Sequence, residues 1–153
     1  MRHRRKAREF VLTVLYQYEV GISATVSGSF KKHLSFYPLK ENILDFAETL
    51  ARGVEKNWDF LNEKITQYAK GWQLERIVIL DRNILRIALY EMFFLEDIPI
   101  IVSINEAIEL AKMFCDDKSR IFINGILDKV YKKELNDNGK GTVHNHRKKL
   151  KSS

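Results

Sequence analysis

The chain has 153 residues, of which 45% are hydrophobic, and it carries a formal net charge of +6 with a pI near 9.4. This length and apolar share suit a compact unit of common domain size, and they exclude a large two-domain enzyme and a wholly disordered chain. The lone Cys115 excludes an internal disulfide and a thiolate metal cluster, and no apolar run reaches the roughly 18 residues of a membrane span.

Helical spacing recurs along the chain, alternating strand patterns are scarce, and the 7 Gly and 2 Pro fall mostly between periodic segments. The pattern predicts an all-α domain. The first helix is expected over 4–20, with Phe10, Val11, Val14, Leu15 and Tyr18 on one stripe and Gly21 at its C-terminal cap. A weaker segment, 29–37, reads as a short helix stopped before Pro38. The next helix is expected over 40–56, burying Ile43, Ala47, Leu50, Ala51 and Val54. Another spans 58–70, with Trp58, Leu61, Ile65, Tyr68 and Ala69 inward and Gly71 closing it.

A long helix is expected over 75–95, with Leu80, Ile84, Ile87, Ala88 and Phe94 buried and Asp81, Arg82, Arg86 and Glu91 on an exposed mixed-charge face. Ser103 and Glu106 have capping-box spacing, so the following helix is expected to start at Ser103. The last helix is expected over 119–133, after an Asp116-Asp117 start signal, with Ile123, Ile126, Leu127 and Val130 inward. The breakers of 136–141 open a basic tail, so the division is a helical domain over 1–135 and a disordered tail over 136–153.

Charge is concentrated at the ends. Residues 1–9 carry five cations against Glu9, a net +4, and residues 139–153 carry +5, so the middle is −3. Basic ends on a mildly acidic body suit a polyanion, most plausibly nucleic acid. Catalytic signals are weak. Cys115 lacks a nucleophile signature, and His3, His33, His144 and His146 form no ligand set beyond a lone His-x-His. No phosphate-binding glycine loop is present. Neither a metal nor an organic cofactor is implied.

Two features point to binding. Arg4, Arg5, Lys6 and Arg8 crowd the start of a helix, where positive charge opposes the macrodipole by a few tenths to about 1 kcal/mol each. Phosphate contacts would supply a reason to accept that cost. Phe122 lies beside the inward stripe of the last helix, near Lys118 and Arg120. An aromatic beside cations can stack an unpaired base, and it can equally pack on a neighbouring helix.

Four strings occur together in order over about 4–132. They are Arg4-Arg5-Lys6-Ala7-Arg8-Glu9 with Leu15-Tyr16, and Leu80 through Glu91. Ile98-Pro99 leads to Ile104-Asn105-Glu106-Ala107-Ile108-Glu109-Leu110-Ala111-Lys112, and Phe122-Ile123-Asn124-Gly125-Ile126-Leu127-Asp128-Lys129 closes the set. In this the chain resembles the NusB family of bacterial transcription antitermination factors. The resemblance implies two small helical subdomains, six or seven helices in all, and no catalytic activity. It implies binding to single-stranded boxA RNA of nascent ribosomal RNA transcripts, with ribosomal protein NusE as partner. RNA polymerase and other Nus factors are then engaged indirectly, in the cytoplasm.

The resemblance maps RNA contacts onto Arg4, Arg5, Lys6, Arg8 and Phe122, and NusE contacts onto Tyr16, Glu75 and Asp81. Lys118 and Arg120 join the RNA set by their place beside Phe122. The chain departs from the family pattern at Ile101, often Lys, and in the loop Cys115-Asp116-Asp117-Lys118-Ser119, where Lys118 stands at a position often acidic. That exchange is expected to favour RNA. Other readings are a helical homodimer or a ribosome-assembly adaptor without sequence-specific RNA binding. A detached regulatory domain of an RNA cytosine methyltransferase is a third, since the chain has no room for the cofactor-binding domain.

Overall fold

A computed structural model describes residues 2–136; the expected tail, with His144 and His146, lies outside the described residues. The described residues form seven α-helices and no strand, and fall into two compact units that divide between residues 58 and 59. The two-subdomain, all-α expectation is met.

The first unit holds α1 (Arg2–Glu19), α2 (Val26–Phe36) and α3 (Glu41–Lys56), with α1 packed on both others. The predicted stripes are its core: Val11, Val14 and Leu15 of α1 and Ala47, Leu50 and Val54 of α3 are fully buried. Gly21 takes a φ of +87°, which a side chain would resist. This lets Ile22 N–H reach Gln17 O (3.0 Å) and Gly21 N–H reach Tyr18 O (3.1 Å), satisfying carbonyls that the helix end leaves open. The weak second segment is longer than expected. Thr25 starts it three residues early, its hydroxyl accepting from Gly28 N–H at 2.9 Å. Ser29 then faces inward and donates to Val14 O at 2.7 Å.

The second unit is built on α5 (Ile79–Phe94), which packs on α6 (Ile100–Phe114) and α7 (Asp117–Val130). Helix α4 (Trp58–Tyr68) begins at the unit boundary and sets Phe60 edge-on to Phe93 at 5.2 Å. After α7 a single wide π turn, Tyr131–Leu135, brings Glu134 onto α4. There Glu134 accepts from Lys64 Nζ at 2.7 Å and Tyr68 OH at 2.5 Å.

Three expectations fail in this unit. The helix expected over 75–95 is interrupted: Leu74–Arg76 is one 3-10 turn, and Ile77 and Val78 are extended before α5 starts. The β-branched run Ile77-Val78-Ile79 disfavours helix. Arg82 then folds back and donates through Nη1 to Ile77 O at 2.9 Å, with longer reaches to Leu74 O (3.4 Å) and Glu75 O (3.5 Å). A side chain thus takes the carbonyls that a continuous helix would have used.

The mixed-charge face of α5 is not exposed. Asp81 is 5%, Arg86 2% and Glu91 1% exposed, and only Arg82 is half-buried. These charges can be interior because they are hydrogen-bonded. Arg86 donates from Nη1 to Asn83 Oδ1 (2.7 Å) and from Nε to Asn62 Oδ1 (2.9 Å). Glu91 accepts from Ser103 Oγ at 2.7 Å. That last bond also removes the capping box: α6 starts at Ile100 behind Pro99, and Ser103 lies inside the helix facing α5. Pro suits a helix start because its carbonyl still accepts, here from Val102 N–H at 3.0 Å.

Candidate nucleic-acid interface

Each unit carries its own cluster of the predicted RNA residues. In the first, the opening turn of α1 contains no acid. Arg4 and Arg8 are four residues apart and so share one face, which turns toward Phe46 of α3. The Arg4 guanidinium lies 5.0 Å and the Arg8 guanidinium 5.4 Å from the Phe46 ring centroid. Arg5 and Lys6 point elsewhere and are exposed, and Arg4 is half-buried. Arg8 is only 2% exposed. It is therefore an interior side chain and presents almost nothing to solvent.

In the second unit, Asp116 caps α7, accepting from Ser119 N–H at 2.9 Å, as the acidic start signal predicts. That bond, foremost, holds the Asp116 carboxyl below its ordinary range. The cap fixes the first turn of α7. Lys118 is exposed there, and Arg120 is half-buried with Nη2 3.1 Å from Asp117 Oδ1. Phe122 is half-buried and meets Trp72 edge to face, ring centroids 6.5 Å apart at 68°. A cavity of about 320 Å³ opens between them, with Ile77 and Val78 among its lining.

The expected NusE positions separate by burial. Tyr16 of α1 is 40% exposed, beside the exposed Val20, and Glu75 stands exposed in the 3-10 turn. Asp81 is interior, facing the Ser119 hydroxyl and the Cys115 thiol. Burial pushes its carboxyl up, hydrogen bonds from Ser119 and Cys115 oppose the rise, and the Asp116 charge adds to it. The same burial, with Asp81 opposite, drives the Cys115 thiol to about 12. Native Cys115 is thus expected to react with iodoacetamide at pH 8 on the order of a thousandfold more slowly than in the urea-unfolded chain, since the thiolate is the nucleophile. Equal rates in the two states would show that the thiol is not held in this way.

Sequence reasoning missed two features. Trp72, exposed after the Gly71 cap, is a second aromatic beside Phe122. Its position follows from the break in helix 75–95, which the sequence pattern did not reveal. An open groove of about 670 Å³ also joins Glu75 to Asp59 and Glu63 of α4. The last two are four residues apart on one helical face, a spacing that could have flagged an acidic stripe. Among the described residues no group of three or more His, Cys, Asp or Glu is placed to hold a metal, and no helix is long and apolar enough to cross a membrane.

A profile described as the NusB family matches residues 5–132. The transcription antitermination protein NusB of Desulforudis audaxviator is 45% identical over 129 residues, which cover 83% of this chain and 91% of the relative. That of Bacillus cereus is 43% identical, covering 83% and 95%. Among solved structures, T. maritima NusB superposes with a TM-score of 0.78 at 36% identity, covering 88% of this chain and 94% of that one. A chain from a crystal structure of the antitermination factors NusB and NusE with double-stranded RNA shares the fold, with a TM-score of 0.78 at 24% identity, covering 86% and 98%. With this match along nearly the whole described region, the chain belongs to the NusB family of transcription antitermination proteins.

Proposed function

We propose that this chain binds single-stranded boxA RNA of nascent ribosomal transcripts together with NusE, and so helps RNA polymerase read through terminators. It works in the cytoplasm, by binding and not by catalysis, through residues 1–135. The observation that carries this reading is the acid-free start of α1, which presents Arg5, Lys6 and part of Arg4 to solvent against the helix macrodipole. Phosphates are the ligands that make such an arrangement favourable, because they release counterions and accept charge-assisted hydrogen bonds.

Arg4, Arg5 and Lys6 contact phosphates in the first unit, and Lys118 and Arg120 do so in the second. Phe122 stacks a base. Arg8 acts from the interior, bracing Phe46 under Arg4. NusE meets Tyr16 and the acidic groove around Glu75, where opposite charge raises the association rate and fixes orientation. Asp81 is interior and acts on that contact only indirectly, by holding Ser119 and Cys115 at the start of α7, while Arg82 holds the segment that carries Glu75.

The test is titration of boxA and scrambled RNA, each with and without NusE, across a salt series. Five phosphate contacts on a single strand give a log–log slope of about −3.5. Preference for boxA with that slope is the expected result. No preference even with NusE present overturns the proposal and leaves the homodimer reading, which light scattering across concentrations decides.

A further inference from the structure

We infer that the cavity beside Phe122 is a subsite for one unpaired nucleobase of the RNA, with the Trp72 indole as its second aromatic wall. The inference rests on the RNA-binding reading above and assigns a residue to it that the predicted set lacks. The cavity, about 320 Å³, stands at the small end of the range for ligand pockets, about 300–1,000 Å³. It can take a planar ring system but not a helix.

Its walls are chemically divided. Trp72 is 54% exposed, a large apolar surface left to water, and Val78, also in the lining, is 60% exposed. The Trp72 and Phe122 rings stand at 68°, so a planar guest stacked on one face meets the edge of the other, an arrangement aromatic groups favour. Around these walls lie two cations, Arg76 and Lys118, and two carboxylates, Asp81 and Asp116.

That mixture selects among guests. A bare phosphate would meet carboxylates and aromatic faces. An apolar side chain would cover the rim charges without pairing them. A nucleobase has apolar faces for the rings, carbonyl and ring-nitrogen acceptors for Arg76 and Lys118, and N–H donors for Asp116. Its own sugar-phosphate then remains at the cationic rim. The carboxylate at the rim favours bases that carry an exocyclic amine over uracil.

A double-mutant cycle between protein and RNA tests this. Each position of the boxA strand is made abasic in turn, and each RNA is titrated against wild type, Trp72→Phe and Trp72→Ala in the presence of NusE. Urea melts of each variant confirm the fold. One abasic position is expected to cost wild type about 5- to 100-fold in affinity. The same abasic change should cost Trp72→Ala less than about twofold, while Trp72→Phe stays within about fivefold of wild type on intact RNA. As a direct readout, Trp58→Phe leaves Trp72 as the sole tryptophan, and its fluorescence should be quenched by intact RNA but not by that abasic strand. If wild type binds boxA yet every abasic position costs Trp72→Ala as much as wild type, the subsite is wrong and the RNA-binding function stands. If wild type binds no boxA, both fall.

Discussion

Arg86→Ala is expected to destabilise the fold by about 3 kcal/mol, or a fall in Tm of about 6–12 °C for a chain of this size. The side chain is 2% exposed and holds Asn83 and Asn62 at once, so its removal strands two amide oxygens and leaves a void where a large side chain was. The Asn83 acceptor is buried and costs about 1–3 kcal/mol without its donor, the half-buried Asn62 oxygen can turn to water, and the void supplies the rest of the loss. Arg86→Lys should recover only part of it, because an ammonium cannot span both oxygens with the fixed fork of a guanidinium. Urea unfolding of both variants measures the difference. A loss below about 1 kcal/mol for Arg86→Ala would mean that the interior network holds little of the second unit together.

Removing the exposed cations of α1 should act on affinity and not on the fold. The triple variant Arg4→Ala, Arg5→Ala, Lys6→Ala is expected to lose about 50-fold in boxA affinity at 0.15 M salt and to flatten the log–log salt slope by about 2. Its stability should change by less than about 1 kcal/mol. Relief of the unfavourable charge at the helix start offsets the lost stack of Arg4 on Phe46. Arg8→Ala should show the opposite pattern, with stability lost and the salt slope unchanged, because its guanidinium lies inside. Titration and urea melts of both variants decide it. A salt slope unmoved by the triple variant would remove the first unit from the RNA interface.

The contrast between Arg8 and its neighbours marks what was legible in the sequence. Apolar stripes at helical spacing report burial directly, so α1, α3 and α4 and their cores could be read within a few residues. Charged residues carry no such signal. Arg8, Asp81, Arg86 and Glu91 look like solvent groups until their partners are known, and one partner of Arg86 and that of Glu91 come from 24 and 12 residues away. Ser103 misleads for the same reason. Its spacing to Glu106 fits a local cap, but a distant carboxylate offers the stronger bond. Asp116 is the opposite case: its partner is three residues on, so the motif could be read locally. Trp72 escaped notice because an aromatic in a loop has no periodicity to place it.

The fold-back of Arg82 has a consequence for recognition. The short stretch from Trp72 to Val78 forms one wall of the base-sized cavity and one wall of the acidic groove. A loop exposed on two flanks would ordinarily lose conformational freedom when anything docked there, and that loss would be subtracted from affinity. Here the carbonyls of Leu74, Glu75 and Ile77 already converge on a single guanidinium rooted in α5. The wall is set in advance, so a nucleic-acid strand on one flank and a protein on the other would each meet a preorganised surface, and neither would have to order it for the other.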